Sequence, residues 1–149
     1  MTRDVPEIVV LTFPSPRELA RRLPRLLLGV VLLGAGIAPV VRAELGLAPW
    51  DVFHEGVADV TGISFGVVTV LVGVVVLLAW IPLRQRMGLG TIVNTVLVGL
   101  TIDLVLGWIP HVDALWIRWA MLVGGTVLTA AGMALYIGAG LGPGPRDGL

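Results

Sequence analysis

Cysteine is absent from this chain of 149 residues, so no disulfide, haem-thiolate, iron–sulfur or cysteine-zinc site can form. Lysine is absent too, and all ten basic residues are arginine. Charge is scarce: charged residues make up 13%, against roughly 25% in a soluble domain. The formal net charge is zero, which argues against a nucleic-acid binder. The only two histidines, His54 and His111, fall in separate segments expected to be external, so paired metal ligation is not expected.

Apolar residues fill the space that charge leaves. The chain is 56% hydrophobic with a mean hydropathy of +0.97. Because about 20 apolar residues cross the hydrocarbon of a bilayer, there is room for about four spans. The expected fold is an all-α multi-pass transmembrane helical bundle, with the lipid bilayer as its first partner. Spans are expected at about 26–41, 65–83, 89–109 and 115–137.

Residues 1–22 read as a cytoplasmic arm. Ser15-Pro16-Arg17-Glu18 has the form of a capping box with proline at the first helical position. The helix it starts, rich in arginine, is expected to lie at the lipid surface before the chain turns inward. An arginine-rich start, an apolar run and Val41-Arg42-Ala43 also resemble a signal peptide, but the same segment recurs internally, where no signal peptide sits. After span one, Pro49 opens a short helix with Asp51 in its first turn; it ends at Thr61-Gly62, and Ser64 caps the next span. With the N-terminus inside, eight arginines are cytoplasmic and Arg42 and Arg118 are outside, as the positive-inside rule requires.

An internal repeat organises the chain. Residues 26–53 laid over 122–149, an offset of 96, match at twelve of 28 positions without a gap. Each copy closes on A-x-L-G-x-x-P-x-D, first at Ala43–Asp51 and again at Ala139–Asp147. The first three-span repeat thus occupies 23–110, and 115–149 begins a second. Three spans separate the repeat starts, so the two motifs are expected on opposite sides of the membrane. Inverted repeats of this kind are a transporter arrangement in which Gly/Pro-interrupted segments mark the solute site. A complete second repeat would add roughly 57 residues, so the chain is expected to be the larger part of a six-span protein of about 206.

The candidate solute-binding residues are Asp103, Asp51, Asp147 and Arg42, and the loop motifs contribute Gly46, Pro49, Trp50, Gly142, Pro143, Gly144 and Pro145. Asp103 is expected deep within the third span, where a carboxylate is costly and usually functional, unless it hydrogen-bonds a neighbouring helix. Asn94 lies on the opposite side of that helix and, with Thr91 and Thr101, reads as interhelical glue. Asp51 and Asp147 read either as solute contacts or as helix caps. Arg42 and Glu44 read as interface anchors or a solute-binding pair, two residues apart and so off a common helical face. Gly34, Ala38, Arg42 and Gly46, matched by Ala130, Ala134, Gly138 and Gly142, form rows suited to close helix packing. Gly62-Ile63-Ser64-Phe65-Gly66 fits G-x-S-x-G, yet no strand precedes it; no catalytic residue, metal or cofactor is expected.

The segments LPRLLLGVVLLGAGIA, RAELGLAPWDVFHEGVADVTGISFG, WIPLRQRMGLGTIVN and LYIGAGLGPGPRDGL resemble the YczE/YyaS/YitT family of bacterial integral membrane proteins over about residues 23–149. The resemblance implies a multi-pass protein of the bacterial inner membrane with no established activity. Two functions follow as expectations: a small-solute transporter or part of one, or a non-catalytic accessory protein that stabilises a partner. An enzyme is not expected. If the chain is complete at Leu149, a homo-oligomer is expected to cover the surface left by missing helices.

Overall fold

A computed structural model describes residues 15–83, 88–142 and 144–145. Among these, the chain forms five helices: α1 (Pro16–Ala43), α2 (Pro49–Thr61), α3 (Phe65–Trp80), α4 (Leu89–Trp108) and α5 (Leu115–Gly138). The all-helical multi-pass fold is therefore as expected. Helices α1, α4 and α5 are each long and apolar enough to cross a membrane, and α2 with α3 makes a fourth candidate, bent by 115° at its break.

The capping box forms as the sequence suggests: Ser15 Oγ accepts from the Glu18 amide, and the Ser15 amide donates to Glu18 Oε2. The surface helix followed by a turn does not form. Instead α1 runs unbroken for 28 residues through Pro24 and Pro39. A proline inside a helix removes one backbone hydrogen bond, and neighbouring helices can compensate by packing. Here α5 does so along the length of α1, with the Arg25 guanidinium lying against Gly138.

Helices α1 and α5 are antiparallel and cross on glycine. A Cβ on Gly29 would come within 2.9 Å of the Gly132 carbonyl oxygen, and one on Gly36 within 2.8 Å of that of Gly125. The offset of 96 carries Gly29 onto Gly125 and Gly36 onto Gly132, so the contact is its own mirror: each glycine meets the repeat-equivalent of the other. That self-complementary pattern is the signature of a local two-fold axis. Without side chains at these positions the backbones touch, which is how helices associate where burying apolar surface gives no driving force.

The other face of α1 receives α4. Gly34 packs on Val98 and Thr101, beside buried Val30, Ala38 and Ile102. The matching row on α5 behaves differently, since Ala130 and Ala134 are exposed. No described helix covers these two, whereas Gly138 packs on Arg25 and Gly142 on Gly88, so the expected close packing holds for only half of the row.

Helix α2 ends where Gly62 takes a left-handed φ of 71°, and Ser64 caps α3 through its hydroxyl and the Val67 amide. α3 stops at Trp80, three residues short of the expected span end, because Pro82 disfavours helix at the residue before it. The sequence reading treated α2 as external, but its inner side is buried: His54 is 0% exposed, with its ring 5.9 Å edge-on to Phe65.

Candidate functional site

The two loop motifs converge on one cavity. It encloses about 170 Å³ beside the middle of α1, between α3, α4 and α5. Ala48 and Asp51 enter its wall from the first motif, Gly144 and Pro145 from the second. The first motif leaves the C-terminal end of α1 and folds back to the level of Ile37, about 9 Å along the helix from Ala43 at 1.5 Å per residue. The second arrives from the opposite end of the bundle. Three pairs of cavity-lining residues are related by the offset of 96: Leu33 with Thr129, Ile37 with Met133, and Ala48 with Gly144. A second, more open cavity of about 390 Å³ shares Ile37, Ala48, Asp51 and Thr129 and continues past Gly46.

Local chemistry fixes both motifs. Gly46 and Gly142, equivalent in the repeat, both have positive φ, 145° and 121°, which a side chain would strain. Pro49 starts α2, so Asp51 falls in its first turn, where a carboxylate suits the positive end of the helix dipole. Asp51 is 6% exposed and its Oδ1 lies 3.7 Å from His54 Nδ1. The same nitrogen is 3.5 Å from Thr69 Oγ1, and the indole of Trp50 stacks on the His54 ring at 6.3 Å. The second motif docks on the start of α4: the Gly90 amide donates to the Leu141 carbonyl at 2.8 Å, and Tyr136 OH donates to that of Gly142 at 3.1 Å. A Cβ on Gly142 would sit 2.8 Å from the Gly88 Cα, so the approach requires glycine on both strands of chain. Pro143 and Asp147 lie outside the described residues.

Asp103 lies elsewhere. It is five residues from the end of α4 and does not line the cavity. Its Oδ2 accepts from Ser64 Oγ at 2.5 Å and its Oδ1 from the Gly66 amide at 2.7 Å. The carboxylate thus satisfies the first turn of α3 from a neighbouring helix, an arrangement favoured by the helix dipole and by the orphan amides there. The backbone of Gly66 packs against Gly99 and Asp103, and this close approach makes the contact possible.

Arg42 also stands apart from the cavity. One guanidinium nitrogen donates to the Leu106 carbonyl at 2.6 Å, near the end of α4, and the other lies 2.7 Å from His111 Nε2. Glu44 reaches the same imidazole, Oε1 to Nδ1, at 3.6 Å. Helical spacing separated Arg42 from Glu44, but α1 ends at Ala43 and Glu44 turns to a φ of 49°, so both meet at His111. Arg118 Nε donates to the Ala43 carbonyl at 2.6 Å and fastens this end to α5. Arg42, Glu44 and His111, with Glu55 and Asp59, line a wide vestibule at the same end.

Sequence reasoning missed Thr69, Thr95, Thr129, Tyr136 and His54, and it assigned Asn94 to helix packing although Asn94 lines the cavity. Isolated threonines carry no motif. The repeat offset was the available signal, because applying it to any α1 residue facing the cavity names its partner on α5.

Residues 20–149 match a family described as "Family of unknown function (DUF6198)". An uncharacterized protein of Haemophilus influenzae is 36% identical over 83% of this chain and 57% of its own length. The uncharacterized membrane protein YczE of Bacillus subtilis is 29% identical over 89% of this chain and 63% of its own length. The chain thus spans about three fifths of the length of these curated relatives. No solved structure matches it. With a family match across 130 of 149 residues, these relatives and the apolar helices described above, the chain belongs to the DUF6198 family of YczE-like membrane proteins, whose function is unknown.

Proposed function

We propose that the chain is a small-solute transporter, or part of one, that binds its solute in the cavity between the two loop motifs. One observation carries this reading: three repeat-equivalent residue pairs line one partly open cavity beside the middle of α1, reached by motifs from opposite ends of the bundle. Inverted-repeat transporters hold their solutes at the repeat interface near the bilayer midplane, beside interrupted helices. The break between α1 and α2, through Gly46 and Ala48, supplies such an interruption, and irregular backbone within a membrane is tolerated where it lines a cavity. In this reading the protein sits in the bacterial inner membrane with its N-terminus cytoplasmic, as the arginine distribution favours. It moves its solute without covalent chemistry. A homo-oligomer would cover the bare face of α5.

The test is flux into proteoliposomes carrying this chain, measured with a panel of radiolabelled small solutes. Saturable uptake is expected for at least one solute, and Ala48→Trp, which fills the cavity, is expected to reduce it more than tenfold with helicity retained. Uptake no faster than in empty liposomes across the panel sinks the reading, as does uptake indifferent to Ala48→Trp.

A further inference from the structure

Two polar groups lining the cavity have no hydrogen-bond partner among the described residues: the Asn94 carboxamide and the Thr129 hydroxyl. The other hydroxyls there are occupied as donors, Thr69 to the Phe65 carbonyl, Thr95 to that of Thr91 and Tyr136 to that of Gly142. Asn94 is 8% exposed, and what exposure it has is to the cavity. A carboxamide carries two donors and an acceptor, and leaving them unmet at such burial is a substantial cost. If Asn94 served as interhelical glue it would need a polar group on a facing helix, and none among the described residues meets it. A carboxamide that lines a partly open cavity without a protein partner is suited to bind a polar group there.

We propose that Asn94 is the principal polar contact for an uncharged solute that presents an edge able both to donate and to accept a hydrogen bond, a primary carboxamide being the simplest case. This rests on the transporter reading and names the solute class for its site. Size sets one limit: the space of about 170 Å³ is close to the roughly 150 Å³ of an apolar cavity that holds one benzene ring. Leu33, Ile37, Val98 and Met133 supply an apolar wall for the body of such a molecule. Charge sets the other. The described wall offers an anion no guanidinium, and its one carboxylate, Asp51, already stands beside His54. A neutral molecule meets neither obstacle, and Thr129 Oγ1 gives its polar edge a second contact.

The experiment compares benzamide, benzoate, benzylamine and toluene as probes of the full chain in lipid nanodiscs, by ligand-observed saturation-transfer NMR. Benzamide is expected to bind more tightly than either charged probe. Asn94→Leu is expected to weaken benzamide about tenfold while leaving toluene unchanged, because it removes the polar contact and keeps the volume. Should Asn94→Leu not fold, Asn94→Ser, which withdraws the amide, makes the same comparison. Equal benzamide affinity in wild type and variant overturns the proposal, and so does tighter binding of benzoate or benzylamine, or no binding of any probe. The readout is binding, so a protein that holds benzamide through Asn94 yet shows no flux fails the transport reading and keeps this one. Flux without any dependence of binding on Asn94 does the reverse.

Discussion

Asp103 separates a structural from a solute-binding carboxylate most cleanly. In the structure its two oxygens accept from Ser64 Oγ and the Gly66 amide, so Asp103→Ala leaves both donors unmet at the start of α3. Hydrogen bonds to a charged group contribute about 1.5–3 kcal/mol each, and a carboxylate at a helix N-terminus adds about 0.3–1 kcal/mol. Those values sum to about 3–7 kcal/mol; because Asp103 is only half-buried and water can replace part of the contact, the lower end applies, about 3 kcal/mol. Asp103→Asn keeps a carbonyl for the Gly66 amide and lets the Ser64 hydroxyl reorient, so about 1 kcal/mol is expected. The assay is reversible unfolding in mixed micelles by added dodecyl sulfate, followed by ellipticity. A graded loss, with Ala worse than Asn and flux falling only as folded protein falls, fits the capping role. If Asp103→Asn abolished flux at unchanged stability, the capping account would be wrong and the carboxylate would belong to the transport path.

Two further perturbations test the packing. Gly36→Ala places a Cβ 2.5 Å from the Thr129 amide nitrogen and hydroxyl and is expected to destabilise by about 1–3 kcal/mol through overpacking, while Gly56→Ala, which meets nothing within 4 Å, is expected to stabilise α2 by up to about 1 kcal/mol in the same unfolding assay. Equal effects would mean that the α1–α5 contact is looser than described. Arg118→Gln removes the charged donor to the Ala43 carbonyl and is expected to cost about 1–2 kcal/mol and to raise amide exchange at the end of α1. Unchanged exchange there would show that Arg118 does not hold the two helices together.

Most of the helices were legible in the sequence because their boundaries are local chemistry. Ser15 and Glu18, Pro49, Gly62 and Ser64 each act within a few residues, and each sits at the boundary it announced. The surface helix was misread because its arginines suited the lipid surface, whereas α1 continues from it without a break and packs on α5. The partners of Asp103 were not legible because Ser64 and Gly66 stand at the start of a different helix, α3. Asn94 was assigned to packing because polar residues in membrane helices usually find a partner; which groups face one another across helices is not written in any one segment.

By itself the sequence determined that this is a membrane protein, that it is helical, and that two related segments end in glycine- and proline-rich motifs. These follow from composition, periodicity and turn chemistry, which act over short distances along the chain. Only the tertiary structure decided that the paired motifs face one cavity, that Gly29 and Gly36 each cross the counterpart of the other, and that Asp103 and Arg42 serve helix ends while Asn94 lines the cavity. Those outcomes depend on the rotation and depth at which whole helices settle, which the backbone contact at a few glycines sets and no local pattern encodes.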